Sequence, residues 1–361
     1  MSSFFRPAIE QMTGYTPGEQ PRPGTPVIKL NTNENPYPPS PQALAVLRSL
    51  DSEWLRRYPT PYANDMRQAV SDVLEVPQDW IMVGNGSDEL LNVIVRACAE
   101  PDRKVVYPTP TYVLYPMLAA MQGVEVVEIP YGLDLRLPVA ELVAARGAVT
   151  FIASPNSPTA HVVGLAELRE LAKQITGVLV IDEAYVDFAN ETALSLVHEF
   201  NHVIIVRTLS KGYSLAGLRL GFAIAHPDLL QGLFKVKDSY NIDAIACLVG
   251  AAAIRDQAYK NECVARVKAA REQLAIALKQ LNFAVWESQT NFLLTQPCDR
   301  PAAQLYQELK ERGILIRYFD HSGLEDKLRI TVGTEAQNQT LITTLHQLLQ
   351  HNCVDRRQSE L

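Results

Sequence analysis

Sulfur is sparse in this chain and scattered. The five cysteines, Cys98, Cys247, Cys263, Cys298 and Cys353, are odd in number and form no C-x-x-C pair. That excludes a zinc clamp of that spacing and argues against a disulfide framework, so no metal site is expected and a reducing compartment fits. Basic excess is lacking too. A formal net charge of −7 leaves no broad positive face of the kind a general nucleic-acid binder needs, so no nucleic-acid partner is expected. No hydrophobic run approaches the roughly 20 residues of a membrane span. The opening MSSFFRPAIEQ carries no apolar leader core, so the expectation is a cytoplasmic protein with no membrane partner. Repeats and low-complexity blocks are also missing.

What is present is an ordinary globular balance, 47% hydrophobic and 20% charged over 361 residues, which suffices for a large core and two subdomains. Prolines at 17, 21, 23, 26, 36, 38, 39 and 41 make residues 1–40 an extended arm rather than a domain. Ser40 before Pro41 predicts a capped helix over Pro41–Leu50. From there short β-rich runs alternate with helical ones. Strands are expected at Ile81–Val83, Lys104–Tyr107, Val124–Ile129, Ala148–Ala153, Val178–Ile181 and Val203–Val206. Helices are expected at Leu90–Ala99, Leu137–Arg146 and Leu165–Gln174. The alternation implies an α/β sheet with mostly parallel strands, whose ligands bind beyond the strands' carboxyl ends. After helices within Asp228–Asp238 and Ala244–Asn282, the β-α-β-β-α order of the last hundred residues suggests a small α+β domain. The division expected is 1–40, 41–262 and 263–361.

Chemistry-bearing residues stand just after the strands. Val203–Val206 empties into Arg207-Thr208-Leu209-Ser210-Lys211-Gly212, and Arg219 follows shortly. A lysine there can form a Schiff base with an aldehyde once burial or a nearby cation removes its proton. Thr208, Ser210 and Arg219 could hold a phosphate beside it. A surface loop with two unrelated cations fits the same residues. Gly84-Asn85-Gly86-Ser87-Asp88 opens a helix, whose N-terminus suits a phosphate, although a plain capped helix start reads the same way. Tyr112 follows a strand and could stack on a flat ring or line a core. Pro155 and Pro158 stiffen a loop that offers the Asn156 amide to an anionic oxygen. Asp182 ends an apolar strand, a costly place for an acid without a cation or a cap. Arg317 and Arg329 fall on neighbouring predicted strands and could clamp a phosphate, or could be solvated edge charges.

Taken together these stretches resemble the class I/II aminotransferases of fold type I, and among them the histidinol-phosphate aminotransferases. The resemblance rests on LNTNENP (residues 30–36), GNGSD (84–88), SPNSPTA (154–160), DEAY (182–185), SKGYSLAGLRLG (210–221) and LRITVGT (328–334), and so spans nearly the whole chain. It implies a large domain with a mostly parallel seven-stranded sheet between helices, a smaller α+β domain, and pyridoxal 5'-phosphate as cofactor. It makes Lys211 the lysine that takes the cofactor aldehyde, Asp182 the partner of the ring nitrogen, and Tyr185 with Asn156 the partners of the phenolic oxygen. Tyr112 stacks on the ring; Gly86, Ser87, Asp88, Thr208, Ser210 and Arg219 surround the phosphate, joined by Tyr58 from a second subunit of a homodimer. Tyr15, Asn33, Glu34, Arg317 and Arg329 face the substrate. The loop departs from the usual P-N-N-P-T-G at Ser157 and Ala160. The implied reaction exchanges an amino group between L-histidinol phosphate and 2-oxoglutarate, both small molecules. An aromatic amino-acid aminotransferase, a phosphothreonine decarboxylase and a non-enzymatic cofactor-binding regulator share many of these residues. The regulator lacks support, since no basic DNA-binding module is evident.

Overall fold

The computed structural model describes residues 4–14, 18–22, 24–132 and 134–359, with side chains through 350. The first strand, β1 (Ile28–Lys29), belongs to the arm. Seven more build the main sheet: β2 (Ile81–Asn85), β3 (Val105–Thr109), β4 (Val126–Pro130), β5 (Val149–Ala153), β6 (Val178–Asp182), β7 (Val203–Thr208) and β8 (Leu220–Ala225). They lie in the order β2-β8-β7-β6-β5-β3-β4, all parallel except β8, which runs antiparallel to both neighbours. Covered on both faces, the central strands need apolar residues at every position. Val203 and Ile205 of β7 therefore feed one apolar core while Ile204 and Val206 feed the other.

Strand β8 has no counterpart in the expectations from sequence, which assign no element at Leu220–Ala225. Glycine inside a strand weakens that signal. Here Gly221 is required, because a Cβ on it would stand 2.6 Å from Ser87 N and 2.8 Å from Arg207 O. The antiparallel direction has a consequence for function: Arg219, which precedes β8, reaches the same rim at which the parallel strands end.

The smaller sheet is antiparallel, with order β12-β13-β10-β9, formed by β9 (Phe283–Val285), β10 (Phe292–Pro297), β12 (Arg317–Tyr318) and β13 (Leu328–Thr331). The run expected as one strand over Gly313–Arg317 divides. Its first half, β11 (Ile314–Leu315), pairs with β1 in parallel, and its second half enters the sheet as β12. The arm is thereby stitched to the C-terminal region: Leu30 N–H donates to Leu315 O, Thr331 N–H donates to Leu30 O, and Leu30 joins that region's apolar core. The helical run after residue 244 breaks at Asp256 into Ala244–Arg255 and Gln257–Gln280, and the second helix passes uninterrupted through position 262. Ser40 caps the Pro41–Ser49 helix, its Oγ accepting from Gln42 and Ala43 N–H. Among the described residues no helix is long and apolar enough to cross a membrane.

Candidate active site

A cleft of about 370 Å³ opens at the carboxyl ends of β3, β5, β6 and β7, with the β12-β13 edge as its opposite wall. Most of the side chains expected at a site from sequence line it. They come from loops more than a hundred residues apart, so chain topology brings them together.

One corner is an anion cradle. Helix Gly86–Cys98 points its N-terminus there, offering N–H groups without helical partners. Arg219 stands over it, with Nη1 3.4 Å from Ser210 Oγ and Nη2 3.3 Å from Asp88 Oδ2. Thr208 Oγ1 lies 3.0 Å from Ser210 Oγ and accepts from Ser210 N–H. Gly86 has φ +78° and lies so near that an added Cβ would meet Arg219 Nη2 at 2.7 Å. A side chain at 86 would fill the cradle.

The middle of the cleft holds a partly buried lysine and a buried acid, with no ion-pair partner for either among the described residues. Lys211 Nζ donates to Thr32 O at 3.2 Å and lies 5.8 Å from the Tyr185 ring centre. Burial, with the Arg329 charge acting in the same sense, lowers its pKa and favours the neutral nucleophilic amine. Asp182, 4% exposed, accepts from Tyr115 Oη at 2.9 Å and from Ala184 N–H at 3.1 Å. Desolvation outweighs those bonds and raises its pKa to about 6. A cation brought by a ligand would remove that cost. Tyr185 Oη accepts from Asn33 Nδ2 at 2.8 Å, which leaves its proton for another acceptor. Tyr112 lines the wall, its Oη 3.2 Å from Asp88 Oδ1.

Not every expected residue arrives. Asn156 is fully buried behind the cleft wall, with Nδ2 donating to Pro110 O and Thr159 Oγ1 and Oδ1 accepting from Thr111. Its amide is spent on tying its own loop to the one after β3. The cleft is lined instead by the neighbouring Ser157, whose Oγ accepts from Arg329 Nη1 at 3.1 Å. Tyr58 is 82% exposed and stacks on Tyr240 at 4.7 Å, away from this chain's cleft. Tyr15 lies outside the described residues. Glu34 lines the cleft, held by Lys29 at 2.6 Å.

Arg317 and Arg329 are directly opposite one another across β12 and β13, and both line the cleft. Arg329 Nη2 also donates to Asn31 O at 3.0 Å. Sequence reasoning missed Tyr115, Asn35, Phe319 and His321. Asn35 Nδ2 donates to Lys211 O at 3.0 Å, fastening the arm to the lysine turn. Phe319 and His321 line the cleft from the segment just after β12, and their closeness in sequence to Arg317 was the available signal. Among the described residues no cluster of three or more His, Cys, Asp or Glu could hold a metal ion.

Fold and cleft together define an α/β enzyme built to hold a phosphorylated aldehyde against a lysine. The chain belongs to the class I and II aminotransferases, whose family model matches residues 25–345. It is 65% identical to histidinol-phosphate aminotransferase 1 of Trichormus variabilis, over 97% of this chain and 100% of that protein. It is 41% identical to the histidinol-phosphate aminotransferase of Citrifermentans bemidjiense, over 95% of this chain and 98% of that one. The fold superposes with TM-score 0.87 on the crystal structure of histidinol-phosphate aminotransferase from Sinorhizobium meliloti in complex with pyridoxal 5'-phosphate, at 26% identity and over 97% and 99% of the two chains.

Proposed function

We propose that this enzyme catalyses transamination between L-histidinol phosphate and 2-oxoglutarate, yielding imidazole-acetol phosphate and L-glutamate, in histidine biosynthesis. The observation that carries the choice of substrate is the Arg317–Arg329 pair facing the cleft from directly opposed positions. Like charges so placed repel one another, and a dianion between them turns that cost into binding. Histidinol phosphate has no carboxylate, so its phosphate takes the place that the glutamate carboxylate otherwise fills.

Pyridoxal 5'-phosphate fits the remaining features: the cradle at Gly86–Asp88, Thr208, Ser210 and Arg219 takes the phosphate, Asp182 supplies the missing counter-charge for a ring nitrogen, and Lys211 lies within reach of an aldehyde. When bound, the cofactor supplies an electron sink that acidifies the substrate Cα–H. Lys211 Nζ carries that proton, and burial lowers its pKa toward the neutral form that can accept it. The Thr32 carbonyl orients the amine by accepting one of its hydrogens. Tyr185 directs its remaining proton at the phenolic oxygen, and Tyr112 covers the ring. Asn33 and Glu34 border the substrate, with Tyr15 assigned there by family resemblance.

The working unit in this reading is a cytoplasmic homodimer. Support comes from the exposed apolar side chains Trp54, Leu55, Tyr58, Tyr62 and Tyr240, of which Tyr58 stacks on Tyr240 and lines one pocket with Trp54. A second copy covering them brings Tyr58 to the partner's cofactor phosphate. Residues 263–361, with the arm stitched on, act as the small domain that closes on the 41–262 domain.

A donor panel tests the function. Histidinol phosphate should be used far better than histidinol, phenylalanine or tyrosine, with 2-oxoglutarate as acceptor. A preference for phenylalanine or tyrosine would replace this reading with an aromatic aminotransferase, and release of carbon dioxide from phosphothreonine with a decarboxylase.

A further inference from the structure

The two arginines raise a physical problem that the reading above leaves open. Residues directly opposed in an antiparallel pair carry their Cβ atoms about 5 Å apart, and like charges there destabilise the pair. Arg329 is tethered by Ser157 Oγ and Asn31 O. Arg317 has no ion pair and no hydrogen bond among the described residues, so something else must keep its guanidinium in the cleft.

Phe319 is in the right place. It follows Arg317 by two residues, just past the end of β12, and both side chains line the cleft. The Arg317 guanidinium carbon lies 5.4 Å from the Phe319 ring centre and that of Arg329 lies 5.5 Å from it, both inside the roughly 6 Å reach of a cation–π contact. A second ring, Phe292, takes Arg329 at 5.2 Å and meets Tyr185 edge-on at 5.2 Å. Phe319 is only 9% exposed, yet it belongs to none of the apolar clusters that form the cores. A buried aromatic that serves no core and touches two cations has its role at the site.

We infer that Phe319 is a positioning residue that holds Arg317 and Arg329 as a single dianion clamp, an inference that rests on the phosphorylated-donor reading. The negative face of the ring offsets the repulsion between the guanidiniums and keeps both in place before the anion arrives. The pre-formed pair matters most for a phosphate monoester, which engages both arginines. An α-carboxylate needs only one bidentate partner and depends on the ring less.

The test uses the cofactor-loaded enzyme. Phe319→Leu should raise KM for histidinol phosphate about tenfold, the worth of one desolvated cation–π contact. KM for glutamate should rise less, kcat should be nearly unchanged, and Phe319→Tyr should restore the wild-type values. In an Arg317→Gln background most of the Phe319→Leu effect should vanish. If the leucine variant does not fold, phenylalanine bearing one, two or three ring fluorines at position 319 keeps the shape and drains the ring face. KM for the phosphorylated donor should then climb with fluorination. Inorganic phosphate, as competitive inhibitor of glutamate, gives a readout independent of the donor: its inhibition constant should weaken in step. Should wild-type enzyme refuse histidinol phosphate while phosphate inhibition still tracks the ring, the donor assignment falls and the clamp stands. Equal losses for both donors, a fall in kcat alone, or no response to fluorination would overturn the role of Phe319.

Discussion

Tyr115 Oη donates to Asp182 Oδ2 at 2.9 Å, both groups are buried, and no protein cation pairs with the acid among the described residues. The bond pulls the Asp182 pKa down, while desolvation pushes it up by more, to about 6. The fold therefore carries an acid whose ionised form has no protein counter-charge among the described residues.

A sign follows for stability. With a folded pKa near 6 against 3.8 unfolded, native apoprotein holds a proton that the unfolded chain has released. The penalty is absent below about pH 4, grows as pH rises through 6, and levels off at ~3 kcal/mol, about 1.4 kcal/mol per unit. Asp182→Asn should thus stabilise apoprotein at pH 7.5 by up to that amount and leave it unchanged near pH 4, while abolishing transamination. Urea unfolding of apoprotein at the two pH values measures it. A loss of stability at pH 7.5 would contradict the desolvated acid.

Tyr115→Phe removes a bond that favours the carboxylate. The acidic limb of the kcat/KM profile should move to higher pH, with little change above pH 8. A pH–rate series over pH 5–9 reads the shift directly.

Gly86 combines a left-handed φ with a near approach to Arg219. Gly86→Ala should carry about 1–2 kcal/mol of backbone strain and displace the guanidinium, weakening pyridoxal-phosphate binding about tenfold or more. Titration of apoenzyme followed by cofactor absorbance gives the constant. Binding unchanged from wild type would remove this corner from the phosphate site.

Lys211→Ala should lose both turnover and the cofactor fixed by borohydride. Under the proposed dimer, Tyr58→Phe should bind cofactor weakly. Mixed and reassembled, the two variants should recover part of the activity. Mixed dimers that form and stay inactive would place Tyr58 outside the neighbouring site.

Arg317→Ala should cost histidinol phosphate about 2 kcal/mol, one charged hydrogen bond, and cost glutamate less. Steady-state kinetics with each donor separate the two.

Most of the cleft-lining residues named in advance were legible because each belongs to a short local pattern: an acid, hydroxyl or lysine placed just after an apolar run. Apolar runs that are buried on both faces announce themselves by composition, so most of the main sheet was legible too. Strand β8 was not, since Gly221 hides it; its need for glycine comes from Arg207 on the neighbouring strand and from Ser87, which is distant in sequence. The direction of the Pro155–Pro158 loop was equally hidden. Whether Asn156 or Ser157 faces the cleft depends on how the chain turns between two prolines, and composition is silent on direction. Arg317 and Arg329 could be paired in sequence only as neighbours on neighbouring strands. That they stand opposite one another, with one phenylalanine ring against both, was decided by the register of β12 on β13, which side-chain chemistry at either position does not encode. The residue types for the chemistry are local properties of the chain. Their mutual distances come from long-range strand pairing and burial, and only the tertiary structure sets those.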